Sequence, residues 1–198
     1  MSTQGPRTRR RLDDERRSEL LDGVMEIIAA RGFSGVGTAE LARELHCSEA
    51  TLYKIAPSKD SLIVLAIGRW GERVLPEFEE QSRRGKSAAE RARIYFRAGA
   101  GSLHPWSHAF RADVERFEST RMAYRAISDR FIDRFVELLD EAVVAGEVDA
   151  VNTRFIAQVF RAMARVVRDE ENLATSGLTA EQALLELDGV IWDGIRRH

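Results

Sequence analysis

The chain has 198 residues, 44% of them hydrophobic, which is enough apolar material to bury a core for one or two domains. Thirty Lys and Arg stand against thirty-two Asp and Glu, a formal net charge of −2, which argues against a protein that coats nucleic acid indiscriminately. A single cysteine, Cys47, excludes an intramolecular disulfide, and no apolar run is long enough to cross a bilayer.

In chain order, residues 1–12 lack a helical pattern and are expected to form a disordered basic arm. The basic excess is concentrated before residue 18, with six Arg against three acids. A first helix is expected over 13–31, with Leu20, Leu21, Val24, Ile27 and Ile28 as its apolar stripe and Gly32 as its stop. Thr38 can cap a second helix, on which Leu41, Ala42 and Leu45 form a narrow stripe. His46 and Cys47 fall where the chain must turn. Ser48 is the next cap, with Thr51 in the place where a capping box prefers Glu. Ala50, Leu52 and Tyr53 keep helical phase until Pro57, which disfavours helical geometry at Ala56. Ser58 then caps another helix, whose first turn carries Lys59 and Asp60.

Two short helices about a tight turn, each started by a hydroxyl residue, make a helix-turn-helix suited to lie across a DNA backbone. Thr38, Ser48 and Ser58 each mark a helix N-terminus, where free N–H groups favour a phosphate. Thr51 and Tyr53 add neutral donors and Lys54 and Lys59 add cations, contacts that set register without reading sequence. Base reading falls to the first turn of the second short helix: Glu49 toward a cytosine amino group, Ala50 toward a thymine methyl, Lys54 toward guanine. Arg7, Arg9, Arg10 and Arg11 can enter a neighbouring minor groove or act only as a solubilising tail.

The segment 14–66 resembles the DNA-binding domain of the TetR family of repressors. The likeness is carried by A-A-R-G-F at Ala29 to Phe33, then Thr38, L-A-R-E-L, S-x-x-T-L-Y with Thr51 to Tyr53, and S-K-D-S-L from Ser58 and Lys59. His46 and Cys47 stand where the family usually has Gly and Val, and Ala56, preceded by Ile55, stands where it commonly has an aromatic. His is among the residues that tolerate a left-handed backbone, so the turn is expected to survive. Cys47 reads as a small hydrophobe replacing Val rather than as a redox switch. The resemblance implies an all-α protein of about nine helices, with the helix-turn-helix followed by a helical ligand-binding and dimerisation bundle.

The rest of the chain is read as helices. One over 59–81, with Leu62, Leu65, Ala66, Trp70, Val74 and Phe78 inward and Pro76 to bend it, joins a head at 13–58 to a regulatory body at 59–198. Further helices are expected at 87–103, 105–118, 120–145, 152–175 and 179–197. Pro105 suits a first helical turn, Gly146 and Gly177 suit C-terminal caps, and Asn152 and Thr179 suit N-caps.

The family likeness implies that the last two helices pair with those of a second copy. The residues agree: Phe155, Ile156, Val159, Phe160, Met163, Val166 and Val167 cover more than one face of one helix, and Leu184, Leu187, Val190, Ile191 and Ile195 of the other. A twofold dimer suits a palindromic operator. Phe96, Trp106, Phe110, Arg111, Phe117, Phe131 and Phe135 are the candidate lining for a small hydrophobic or aromatic effector, although aromatics at helical spacing are more often plain core. No cofactor is expected, and no metal, since Pro105 separates His104 from His108 and no Cys is near. No phosphate loop, H-E-x-x-H or G-x-S-x-G is present, so an enzyme is not expected. A polar, Arg-rich start without a signal peptide points to the cytoplasm. The competing reading, resting on His46, Ile55 and Ala56, is a helical ligand-binding or interaction module that has lost specific DNA binding.

Overall fold

The computed structural model describes the backbone of residues 6–167 and 170–195 and the side chains of 13–167 and 173–194. Among the described residues ten helices follow one another: α1 (Pro6–Arg31), α2 (Thr38–Glu44), α3 (Glu49–Ile55), α4 (Lys59–Ser82), α5 (Ala88–Gly101), α6 (His108–Arg116), α7 (Glu118–Val144), α8 (Thr153–Val166), α9 (Glu170–Ser176) and α10 (Ala180–Ile195). The all-helical class is as expected. The extra helix arises because the stretch expected as one helix over 152–175 is two, α8 and α9. The first helix begins at Pro6 rather than near residue 13. The side chains of Arg7, Arg9, Arg10 and Arg11, and that of Ile195, lie outside the described residues.

The chain divides into two compact units. One comprises the residues up to Gly71 together with Ser107–Ala123, and the other comprises Glu72–Trp106 together with Tyr124 onward. The first therefore holds α6 as well as the N-terminal helices, whereas the sequence placed that segment in the regulatory body. The boundary between them falls inside α4, between Gly71 and Glu72.

In the first unit, Leu20, Leu21, Val24 and Ile28 of α1 are buried, while Ile27 is only half-buried and Met25 takes its place in the core. On α4 the inward positions are Leu62, Ile63, Ala66, Ile67 and Trp70, with Leu65 half-buried. Leu41 and Ala42 of α2 and Leu52 of α3 are buried in the same unit.

Helix ends follow local chemistry. Asn152 accepts from Phe155 N–H at 3.0 Å, and Thr179 and Gln182 exchange bonds of 2.9 and 3.1 Å in a full capping box. Gly146 ends α7 with φ +68°, and Glu147 N–H returns to Ala142 C=O, the crossed bonding of a Schellman end. Pro105 is not in a helix. It lies in a turn, and α6 starts at His108 because the Ser107 hydroxyl accepts from Phe110 N–H at 3.1 Å.

The second unit is centred on packed aromatic rings. Tyr95 stacks on Phe131 at 5.0 Å, and Phe96, Phe135 and Phe160 meet one another at 4.9 to 5.3 Å. Arg134 of α7 forks onto Glu79 of α4 with two bonds of 2.9 Å, which holds the Glu79 carboxyl below its ordinary value against the opposing effect of burial. Asp188 of α10 is buried and takes bonds from Arg93 and Arg97 of α5 at 3.1 and 3.4 Å.

Candidate nucleic-acid interface

The helix-turn-helix is α2, the turn at His46 and Cys47, and α3. Thr38 does not cap α2. It is the first helical residue, and the cap is Gly37, whose extended backbone lets its carbonyl accept from Leu41 N–H at 3.1 Å while no side chain caps the helix. The turn closes as a Schellman end: Cys47 N–H reaches Ala42 C=O at 2.9 Å and His46 N–H reaches Arg43 C=O at 3.3 Å. His46 has φ +51°, the left-handed position where glycine is usual, and among the described residues it is the one non-glycine with positive φ. The imidazole is exposed. His46→Gly is therefore expected to raise stability by about 0.5–1 kcal/mol, roughly 2 °C in Tm for a chain of this size, read by thermal unfolding. A lower Tm would contradict the argument.

Ser48 caps α3, its hydroxyl accepting from Thr51 N–H at 3.1 Å. Thr51 fills the place of the missing Glu by pairing its hydroxyl with that of Ser48 at 2.9 Å. The same device starts α4, where Ser58 accepts from Ser61 N–H at 3.1 Å and the two hydroxyls pair at 2.9 Å. Ala56 is buried, and its N–H bonds to Leu52 C=O at 3.0 Å as α3 ends. The missing aromatic thus leaves the end of α3 closed. Cys47 is half-buried, and burial pushes its thiol up, so little thiolate forms at neutral pH.

Ser48, Glu49, Ala50, Tyr53 and Lys54 are exposed together at and along α3, with Thr51 half-buried beside them. Tyr53 is 51% exposed, which leaves an aromatic ring largely in water at the surface. Thr38 is half-buried at the start of α2. Lys59 differs from expectation. Its ammonium is not directed outward but donates to the carbonyls of Phe33 and Val36, at 2.9 Å each, in the loop between α1 and α2.

That loop is held from its other side by α6. The Asp113 carboxylate accepts from Phe33 N–H at 2.5 Å, from Ser34 N–H at 2.7 Å and from the Ser34 hydroxyl. Phe33 is buried between Phe110, at 6.2 Å, and Phe117, at 5.7 Å. Gly32 ends α1 with φ +80°, and a Cβ there would sit 2.7 Å from the Asp113 carboxylate. Burial pushes the Asp113 carboxyl up, but the bonds from Ser34 and Phe33, with Arg116 nearby, outweigh it and hold the group below its ordinary 3.8. A carboxyl with a depressed folded pKa stabilises fully above its unfolded value and loses that contribution as pH falls through the folded one. Wild type is accordingly expected to lose more stability than Asp113→Asn between about pH 5 and pH 2, measured by urea unfolding. Parallel losses would remove Asp113 from the account.

The expected effector lining divides between the units. Phe96, Phe131 and Phe135 lie together in the aromatic cluster of the second unit, and Trp106 is in the same unit against Tyr124 at 5.1 Å. Phe110, Arg111 and Phe117 belong to the first unit. Arg111 is half-buried there, and burial draws its guanidinium below its ordinary value. A cleft of about 240 Å³ in the second unit is lined by Ala89, Glu90, Arg93, Glu147, Val148 and Trp192, none of which the sequence marked. Glu147 is already committed there to Ala89 N–H, at 2.7 Å. His104 pairs with Glu181 at 2.9 Å. No described helix is long and apolar enough to cross a membrane.

Residues 20–66 match the family of bacterial regulatory proteins described as the tetR family. No curated protein matches the chain in sequence. Among solved structures, a TetR-family transcriptional regulator from Agrobacterium tumefaciens is similar at 15% identity, with 93% of this chain and 100% of that one covered and a TM-score of 0.70. The regulator FadR from Bacillus subtilis, in complex with stearoyl-CoA, is similar at 16% identity over 86% of this chain and 96% of that one, TM-score 0.64. The ketosteroid regulator KstR2 of Mycobacterium tuberculosis is similar at 18% identity over 92% and 96%, TM-score 0.55.

Proposed function

We propose that this chain, a TetR-family transcriptional regulator by its helix-turn-helix and its fold, is a cytoplasmic, non-enzymatic repressor that binds a palindromic operator as a dimer and is released by a small hydrophobic or aromatic effector. The observation that carries this reading is the exposed face of α3. Capped by Ser48, it presents hydroxyls, Lys54 and the ring of Tyr53 to solvent on a short helix whose other face, through Leu52, is buried. Thr38, Ser48, Thr51 and Tyr53 are assigned to phosphate and sugar, and Glu49, Ala50 and Lys54 to base edges.

The dimer is supported by apolar surface left in water on α8 and α10. On α8, Phe155 and Val166 are 60% and 42% exposed, and they share one stripe with half-buried Val159. On α10, Val190 is 71% exposed on the face of half-buried Leu187. Such a stripe on each of two late helices is what a second copy would cover, and it would set two heads one DNA turn apart, roughly 34–36 Å. An apolar effector is supported by the aromatic cluster of the second unit and by the stearoyl-CoA bound to a structural neighbour. Phe96, Trp106, Phe131 and Phe135, all in the second unit, are assigned to the effector, while Phe110, Arg111 and Phe117 lie in the first unit.

The test is selection of bound sequences from a random DNA pool, followed by titration of the best binder at several salt concentrations. A palindromic winner whose affinity falls steeply with salt is the expected result. Absence of enrichment at low salt, by dimeric protein free of any effector, would overturn the reading.

A further inference from the structure

Resting on the DNA-binding reading, we infer that Lys59 and Asp113 are positioning residues for the reading head: together they lock the α1–α2 loop by holding one peptide group at both poles, and Lys59 acts through that loop rather than on phosphate. The peptide unit joining Phe33 to Ser34 offers its C=O to the Lys59 ammonium at 2.9 Å and its N–H to the Asp113 carboxylate at 2.7 Å. Both bonds are charge-assisted, and each polarises the shared amide in the direction that strengthens the other. Second bonds on either side, Lys59 to Val36 C=O and Phe33 N–H to Asp113, extend the grip along the loop.

Three further features make this a built arrangement. Gly32 leaves the space that the carboxylate occupies. Phe33 is anchored between Phe110 and Phe117, so the loop is pinned by packing as well as by polar bonds. Asp113 is buried, so its charge is retained in the folded state by these partners rather than by water. The loop ends at Gly37, the cap of α2, and α2 is tied through the Schellman turn to α3. The position of the loop therefore sets where the recognition helix sits against the rest of the head. A cation committed to two carbonyls in this way is a poor partner for phosphate, because transfer to DNA would leave both carbonyls without their donor.

The two roles give different salt behaviour. A lysine that neutralises a phosphate contributes about 0.9 to the slope of log affinity against log salt, and its removal lowers the slope by that amount. A lysine that only holds the loop lowers affinity at every salt and leaves the slope alone. The experiment compares wild type with Lys59→Met, Asp113→Asn and, as the phosphate or base control, Lys54→Met. Operator affinity is measured across salt at a temperature where circular dichroism shows every variant folded, and amide exchange at Phe33 and Ser34 is measured without DNA. We expect Lys59→Met and Asp113→Asn each to weaken binding by roughly tenfold, about the equivalent of one lost charge-assisted bond, with the slope unchanged and both amides exchanging faster. A slope lowered by about 0.9 in Lys59→Met, or an Asp113→Asn protein with wild-type affinity, overturns the inference. If wild type selects no DNA, the DNA reading fails. Exchange then judges the clamp alone, and unaltered protection in both variants rejects it.

Discussion

Val190→Arg is expected to yield a monomer. Val190 is 71% exposed on α10, so a charge there disturbs little within the subunit, and helix content is expected to stay close to wild type. In the proposed dimer the same position is covered by apolar side chains, where an unpaired guanidinium costs several kcal/mol of association. Sedimentation at micromolar concentration is expected to show loss of the dimer. Affinity for a full palindrome should fall about a hundredfold or more, because two heads no longer share one binding event, while affinity for an isolated half-site is unchanged. A Val190→Arg protein that still sediments as a dimer would place the interface elsewhere.

Gly32→Ala is expected to unseat the loop. An L side chain at φ +80° costs about 1–2 kcal/mol in backbone strain, and here the added Cβ also meets the Asp113 carboxylate at 2.7 Å and the Ala109 backbone at 3.0 Å. Neither neighbour is the free end of a flexible chain, since Asp113 is held by three hydrogen bonds and Ala109 lies within α6. The combined loss is about 3 kcal/mol, expected as a fall of roughly 6–12 °C in Tm by calorimetry. In an Asp113→Ala background the same substitution should cost less, since one of the two clashes is gone. Additivity of the two changes would separate the glycine from the clamp. His46 makes the contrast: it too sits at positive φ, but its side chain is exposed, so relieving the backbone strain is expected to be a gain.

Most of the helix boundaries were legible because they are local events. Ser48, Ser58, Asn152 and Thr179 each bond an N–H three residues on, and Gly32, Gly146 and Gly177 take the left-handed backbone that ends a helix. The apolar stripe of α1 was legible in the same way, as was the turn at His46. The differences from the sequence pattern are also local. The cap of α2 is Gly37 although Thr38 next to it carries a capping hydroxyl, and α6 starts at His108, three residues after the Pro105 that suits a first helical turn. In both places the chain used a competing donor or acceptor equally near in sequence.

What the sequence determined by itself was the class of helix-turn-helix, the order of helices and the exposed face of α3, because each depends on bonds spanning three to five residues and on a period of 3.6. What only the tertiary structure decided was the use made of the charges and rings that those helices carry. Phe110 and Phe117 looked like any other aromatics of a helical body, and Lys59 like any cation at a helix start. Their partners lie far away along the chain: Asp113 meets Phe33 across 80 positions, and Arg93 meets Asp188 across 95. No periodicity encodes such a separation. A buried carboxylate or ammonium takes whichever donors or acceptors the fold brings within about 3 Å, and that choice is made by packing after the helices have formed.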